Sequence, residues 1–340
     1  MNNPGPAAAD VIAAVDRWLA APGEPEPWVV ETSGSTGRPK RVVLSRGAML
    51  ASAEASAARV GGSGPWLLAL PASYVAGLNV IVRALVAGRA PVVLGGSVDS
   101  FEAAAAAVGA GGFVSLVPTQ LHRLLETSAA ALASFHTVLL GGGPIDPALR
   151  ARAAAAGVRV VATYGSAETC GGCVYDGLPL DGVGLALGTD GRVRLSGPVL
   201  FDGYDGDPSL TRDVLVDGWF LTSDAGRLDE DGRLQLLGRL DDMVVTGGIN
   251  VPAPAVAARL RAHPAVAAAE VLGVPDEEWG NRLVAFVVPA SAPPNLDELR
   301  EWVAAERPRS WAPRQLVTLD EIPMLPNGKA DRLRLRELAG

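Results

Sequence analysis

Thr32-Ser33-Gly34-Ser35-Thr36-Gly37-Arg38-Pro39-Lys40 stands between two short apolar runs, Trp28-Val29-Val30 and Val42-Val43-Leu44, each a strand candidate. Its two glycines free the backbone to turn successive N–H groups toward one anion. Thr32, Ser33, Ser35 and Thr36 add hydroxyl donors, and Arg38 and Lys40 add positive charge. The combination suits phosphate. It is not a Walker A loop, because the Gly-Lys-Ser/Thr ending is missing and Pro39 sits where the second glycine should be. A polar hairpin turn would use the same residues equally well, so the stretch alone leaves both readings open.

Outward from this loop the chain alternates. Residues 8–20 carry Val11, Ile12, Val15 and Leu19 at helical spacing and end at Pro22-Gly23. Helical patterns recur at 46–59, 75–87, 101–108, 118–125 and 148–156, with apolar strand candidates at 66–70, 91–94, 113–117, 137–140 and 158–162. This order predicts a parallel sheet with helices on both faces. Ligands of such sheets bind where loops leave the carboxyl ends of strands. That singles out the 32–40 loop, the loop at Gly141-Gly142-Gly143 and the segment after Ala162. Beyond Cys173, short alternating segments at 192–195, 219–221 and 234–237 are separated by Gly-Asp turns such as Asp202-Gly203, Asp217-Gly218 and Asp231-Gly232, which is hairpin chemistry. From about Asp241 the pattern becomes strand, helix (254–261), two strands (266–274 and 282–288), helix (296–305), strand (316–319) and a last loop. The predicted class is α/β. A large N-terminal domain over 1–240 holds the mainly parallel αβ-layered sheet and a small antiparallel β unit, and a smaller α+β domain covers 241–340.

Composition narrows the partners. The 340 residues carry a formal net charge of −8 and no run of Lys or Arg, which argues against nucleic acid or an anionic membrane as the main partner. Any anionic ligand needs a local site, since the general field would not attract it. The N-terminus lacks the basic start and apolar run of a signal peptide. The most apolar stretch, Leu78 to Leu94, is broken by Arg83, Arg89 and Pro91, so no membrane insertion is predicted. The expectation is a soluble cytoplasmic protein, with a homodimer left open. Cys170 and Cys173 form a CxxC, but His122, His136 and His263 do not stand at metal-finger spacing, and Gly-Gly between the cysteines is unlike a thioredoxin-type pair.

Four further groups could carry chemistry. In Thr163-Tyr164-Gly165-Ser166-Ala167-Glu168-Thr169, a carboxylate after a glycine turn could bind Mg²⁺ alongside phosphate, and Tyr164 could stack on a base. A buried tyrosine and a helix-start glutamate would look the same. In Trp219-Phe220-Leu221-Thr222-Ser223-Asp224, an aspartate ending a strand could accept two ribose hydroxyls, or be a turn residue. Gly238-Arg239-Leu240-Asp241-Asp242, before Gly247-Gly248, suits a hinge or polyol clamp, or a solvated turn. Pro326-Asn327-Gly328-Lys329 places a lysine on a turn, where an ordinary exposed lysine would equally stand.

In this order, the motifs resemble the acyl-adenylating superfamily of acyl- and aryl-CoA ligases, luciferases and peptide-synthetase adenylation domains. Gly197-Pro198-Val199-Leu200-Phe201-Asp202-Gly203-Tyr204 is similar to the family's Gly-Pro…Gly-Tyr segment, and the resemblance runs from about residue 28 to the end. The phosphate loop usually lies deeper in such chains, so the resemblance implies a shortened front. Leu70-Pro71, Val75-Ala76-Gly77-Leu78 and the stretch Glu168 to Gly177 resemble the o-succinylbenzoate–CoA ligases of menaquinone biosynthesis in their short actinobacterial form. Another aryl- or fatty-acyl-CoA ligase, or a non-catalytic nucleotide-binding relative, stays open as an alternative.

The resemblance implies ATP, Mg²⁺ and CoA as partners of a carboxylic acid substrate, here o-succinylbenzoate. By position, Thr32, Ser33, Gly34, Ser35, Thr36 and Lys40 would hold the β,γ-phosphates, and Glu168 would bind Mg²⁺. Gly142, Gly143, Tyr164, Gly165 and Ser166 would line the AMP moiety, while Asp224 and Arg239 would hold the ribose. Lys329 would bridge carboxylate and phosphate during adenylation. Asp241 would be the hinge of a mobile C-terminal domain, and Gly247 and Gly248 would come to the CoA side. Tyr74, Gly77, Asn79, Arg83 and Gly171 are the substrate candidates. Val75, Asn79 and Arg83 share a helix face at four-residue spacing, and an arginine amid apolar neighbours is costly unless it meets an acid. An internal salt bridge or a solvent-facing arginine is the alternative. Two positions depart from the pattern: Ala167 replaces the usual Thr of Tyr-Gly-x-Thr-Glu, and Tyr74 stands where His is common.

Overall fold

The computed structural model describes residues 8–32, 40–95, 100–324 and 330–340. Helix boundaries follow local chemistry. Ser45 caps the helix Arg46–Val60 by accepting from the Ala48 N–H, and Gly61 ends it in the left-handed region at φ 89°. Asp146 caps Pro147–Ala155, with proline in the first turn where its missing N–H costs nothing.

Two units are distinguished by their internal contacts, one built from Met1–Ala186, Arg194–Thr222 and Leu228–Leu234, the other from Leu187–Val193, Ser223–Arg227 and Gln235–Gly340. The first unit holds a seven-stranded sheet in the order Val92–Val93, Trp66–Leu68, Phe113–Leu116, Thr137–Leu140, Val160–Ser166, Gly171–Tyr175, Leu178–Pro179. The first five strands are parallel. Phe113–Leu116 and Thr137–Leu140 are buried along their whole length, as a strand covered on both faces must be. One face meets Phe101, Leu121, Leu124, Leu132 and Leu149 from four helices. The helices Val75–Val86 and Arg46–Val60 pack on the other side, Val75–Val86 against the central strands and both against Gly171–Tyr175. Each fully buried leucine contributes about 1.5–3 kcal/mol.

The parallel αβ-layered sheet is thus present, with corrections. Val160–Ser166 runs four residues past the predicted end at Ala162 and pairs antiparallel with Gly171–Tyr175, so the sheet is mixed. The reversal is made by a 3₁₀ turn, Ala167–Thr169, closed by Cys170 and Gly171 at φ 48° and 89°. The strands beside the 32–40 loop, Trp28–Thr32 and Lys40–Leu44, pair antiparallel with each other. Gly203–Tyr204 joins them as a third strand, so this loop does not leave the parallel sheet. The small antiparallel unit is a five-stranded sheet of Gly184–Leu187, Arg192–Ser196, Leu215–Val216, Trp219–Leu228 and Leu234–Arg239. Asp224 lies within the strand Trp219–Leu228, not at its end.

In the second unit, Val266–Asp276 pairs antiparallel with Gly280–Pro289, and Gln315–Thr318 adds a parallel edge. Strand alternation sorts its core to two faces. Val271, Leu283, Ala285 and Val287 pack with Val256, Leu260, Leu299 and Val303 from two helices. Leu272, Val274, Val284 and Phe286 pack with Leu335. Leu335 belongs to a helix, Arg332–Leu338, where the sequence suggested a loop: Arg-Leu-Arg-Leu-Arg alternates with the period of a strand, but Asp331 caps it through the Arg334 N–H.

Candidate active site

A cavity of about 140 Å³ opens at the carboxyl ends of the central parallel strands, against the helix Val75–Val86. Six of the sequence candidates line it: Asn79, Arg83, Gly142, Gly165, Ser166 and Gly171. Ser115, Thr163 and Tyr175 join them. Three polar atoms of the lining are buried without a hydrogen-bond partner, namely Asn79 Oδ1, Arg83 Nε and Ser166 Oγ. Such atoms are rare in native interiors.

Arg83 is the sharpest case. It is 7% exposed, its Nη2 donates to the Tyr175 hydroxyl at 3.2 Å, and its guanidinium sits over the Trp66 ring at 5.4 Å. Neither neighbour is charged. Among the described residues no carboxylate lies within ion-pair distance of it, so none of them forms the internal salt bridge that the sequence leaves open. Asn79, one turn earlier and 2% exposed, donates through Nδ2 to the carbonyls of Cys170 at 2.7 Å and Val75 at 3.1 Å. Those two bonds fix the amide and leave its oxygen as the unpartnered acceptor.

Glycines shape the cavity. A Cβ on Gly165 would stand 2.1 Å from the Gly171 carbonyl oxygen, and one on Gly171 2.3 Å from Asn79 Nδ2. Gly142 adopts φ +78°. Gly77, a substrate candidate, does not line the cavity: its Cβ position is 2.1 Å from the Pro71 carbonyl oxygen, so here glycine lets the helix approach the preceding turn. Tyr74 is 53% exposed, and neither it nor Gly143 or Tyr164 lines the cavity.

A second cluster surrounds Glu168. Its Oε1 accepts from the Tyr204 hydroxyl at 2.7 Å, and the Lys40 ammonium stands over the Tyr204 ring at 5.1 Å. Burial, reinforced by the Glu168 charge, raises the Tyr204 hydroxyl above its ordinary range, so it stays a donor. The Thr32 hydroxyl donates to the Lys40 carbonyl across the two paired strands, at 3.5 Å. Glu168 thus lies close to Lys40, the first residue of the strand that follows residues 33–39. Ser33, Gly34, Ser35, Thr36 and Lys329 lie outside the described residues. Among the described residues no group of three or more His, Cys, Asp or Glu forms a metal cage. A single carboxylate is what a magnesium site shared with phosphate needs, so Glu168 fits that ion.

Asp224 and Arg239 belong to the second unit, half-buried on neighbouring strands and each engaged in interactions of its own. Asp241 falls in the 3₁₀ turn Leu240–Asp242. Gly247 and Gly248, at φ 55° and 77°, make the two-residue turn between Met243–Thr246 and Ile249–Pro252. Positive φ at both positions is the geometry a tight hairpin requires. Cys170 and Cys173 are free, fully buried thiols. Burial raises both, Cys173 to about 12, which removes the thiolate that redox or metal chemistry would need. Tyr175, Ser56 and Tyr204 were not singled out by sequence. Tyr175 and Tyr204 stand in the segments 168–177 and 197–204, but nothing in their neighbours announces a polar partner.

The AMP-binding enzyme family model matches residues 29–201, and that of the AMP-binding enzyme C-terminal domain matches 255–329. The chain belongs to the AMP-binding enzyme family. This AMP-binding enzyme is 44% identical over 324 residues to the probable 2-succinylbenzoate–CoA ligase of Mycobacterium tuberculosis, covering 92% of this chain and 84% of that one. It is 32% identical to the 2-succinylbenzoate–CoA ligase of Bacillus cereus, over 91% and 69% of the two chains. Its fold matches the o-succinylbenzoate CoA synthetase of Bacillus subtilis, solved with the acyl-adenylate intermediate OSB-AMP, at a TM-score of 0.79 and 30% identity, covering 91% and 68%. No helix among the described residues is long and apolar enough to cross a membrane.

Proposed function

We propose that this AMP-binding enzyme is a 2-succinylbenzoate–CoA ligase acting in two steps. The aliphatic carboxylate of the substrate attacks the α-phosphorus of ATP, giving the acyl-AMP and releasing pyrophosphate. The CoA thiol then attacks the acyl carbonyl, loses its proton, and displaces AMP. The observation that supports the substrate class is Arg83, a buried cation on a cavity of about 140 Å³ that has no acidic partner among the described residues. The acid has one carboxylate to be adenylated and a second, on its ring, to complete the pair with Arg83. A long aliphatic chain offers the arginine nothing.

The remaining roles are assigned on the same reading. Glu168, held through one oxygen by Tyr204, would hold Mg²⁺, which when bound offsets phosphate charge. Thr32 to Thr36 with Lys40 would take the pyrophosphate end of ATP, and the Gly142–Gly143 and Tyr164–Ser166 segments the adenosine. Asp224 and Arg239 would hold the ribose, and Lys329 would meet the charge that develops as carboxylate and α-phosphate join. Residues 1–240 would bind adenylate and acid. Residues 241–340 would move about Asp241 and bring Gly247-Gly248 to the CoA side. The reaction would run in the cytoplasm, where ATP and CoA are available.

The test is direct. Purified protein with ATP, Mg²⁺ and CoA should convert 2-succinylbenzoate to its CoA thioester, with one pyrophosphate and one AMP per thioester. Faster pyrophosphate release with fatty or monocarboxylic aryl acids than with 2-succinylbenzoate would replace this reading by a ligase of another acid.

A further inference from the structure

Arg83 is held by a relay that reaches across the fold. Its Nη2 meets the Tyr175 hydroxyl at 3.2 Å, and that hydroxyl meets Ser56 Oγ at 2.8 Å. The three residues come from three elements: the helix Val75–Val86, the strand Gly171–Tyr175 and the helix Arg46–Val60. All three side chains are buried, at 7%, 2% and 1% exposure. The polarity of the relay follows from the donors available. A guanidinium has only N–H groups, so the Tyr175 oxygen must accept from it. The Tyr175 and Ser56 hydroxyls then share one further hydrogen bond, in which either can be the donor.

We propose that Tyr175 and Ser56 are positioning residues for substrate selection, fixing the Arg83 guanidinium with neutral groups so that its charge is reserved for the ring carboxylate of the acid. This rests on the proposed function for the identity of the acid. A phenol stands here in place of a carboxylate. A buried aspartate or glutamate at this position would satisfy the arginine permanently, and a substrate carboxylate would have to displace it. A phenol fixes direction without neutralising. Among the described residues Arg83 Nε has no hydrogen-bond partner. Tyr175 itself lines the cavity, so the relay ends at the place where the acid would bind.

The experiment uses Tyr175→Phe, which keeps the ring and removes the hydroxyl, with Ser56→Ala as a milder break one step further out. KM is measured for 2-succinylbenzoate, for 4-oxo-4-phenylbutanoate (the same acid without the ring carboxylate) and for ATP. Thermal stabilisation of each protein by 2-succinylbenzoate and by phthalate, without ATP, is read in parallel. For Tyr175→Phe the KM for 2-succinylbenzoate should rise about tenfold or more, the scale of a charged hydrogen bond. KM for the monocarboxylate and for ATP should stay within about twofold, and Ser56→Ala should shift the first KM in the same direction by less. Equal rises for both acids, or no rise at all, would overturn the proposal. If wild-type protein turns over no 2-succinylbenzoate but is stabilised by phthalate, and Tyr175→Phe loses that stabilisation, the proposed function fails and the relay stands. If neither dicarboxylate stabilises wild type, or the variant keeps the full effect, the relay is refuted.

Discussion

Replacing Arg83 by methionine should weaken substrate binding and leave the empty protein as stable as before, or more so. Methionine is unbranched and polarizable, and can occupy the path of the arginine stem between Trp66 and the cavity wall. The losses are one hydrogen bond from a charged donor, about 1.5–3 kcal/mol, and a cation–π contact of about 0.5–2 kcal/mol. Against them stands release of a buried, unneutralised charge, whose effective desolvation cost is several kcal/mol. Tyr175 is not orphaned, because Ser56 Oγ remains 2.8 Å from its hydroxyl. The balance predicts unchanged or slightly higher stability of the apoprotein, measured by urea denaturation. Binding moves the other way. Removing one partner of a desolvated charge pair costs about 2–5 kcal/mol, so KM for 2-succinylbenzoate should rise by about 30- to 5,000-fold while that for ATP holds. The opposite pair of results, an apoprotein several kcal/mol less stable with KM unchanged, would mean that Arg83 is a structural cation and would refute the substrate assignment.

Three other outcomes follow from the same reasoning. Lys329→Ala should slow adenylation by about 10²–10³-fold or more, as the loss of one preorganised cation would; thioester formation from preformed acyl-AMP should survive, and equal loss of both steps would remove the assignment. Gly165→Ala places a Cβ 2.1 Å from the Gly171 carbonyl oxygen, so two paired strands must part. The cost should be about 1–3 kcal/mol, read as a midpoint shift in urea at constant slope. Cys170 and Cys173 should both resist a disulfide reagent at pH 8 in the native protein and both react in denaturant, since burial raises the folded thiols. Unfolded thiols ionise near pH 8.5 and the folded ones do not, so this contribution to stability declines as pH climbs above about 8.5. Rapid native modification of either cysteine would contradict the burial argument.

What the sequence could show, and what it could not, divides along a physical line. Helices such as 46–60 and 75–86 are legible because helix-forming composition is local, alanine-rich in the first and mostly apolar in the second, and the buried parallel strands because they are continuous apolar runs. Arg332–Leu338 was not, because alternating arginine and leucine imitates a strand while a single residue, Leu335, does the anchoring. The candidate site divides in the same way. The apolar neighbours of Arg83 leave burial and a solvent-facing side chain both open, and that a buried one would want an acid follows from the cost of an unpaired charge. What orients it could not be read. Tyr175 is 92 residues away and Ser56 is 119 residues from Tyr175, brought together because the chain reverses at Cys170-Gly171 into an antiparallel strand. The reading of a parallel sheet ending at Ala162 had no place for that strand. The same reversal sets Gly165 and Gly171 against each other and carries Gly171 under Asn79, so the two paired strands shape the cavity and also deliver the phenol that aims its cation. On the proposed role of Arg83, a substitution that shifts the turn at 167–171 should change which acid is preferred before it changes how ATP is held.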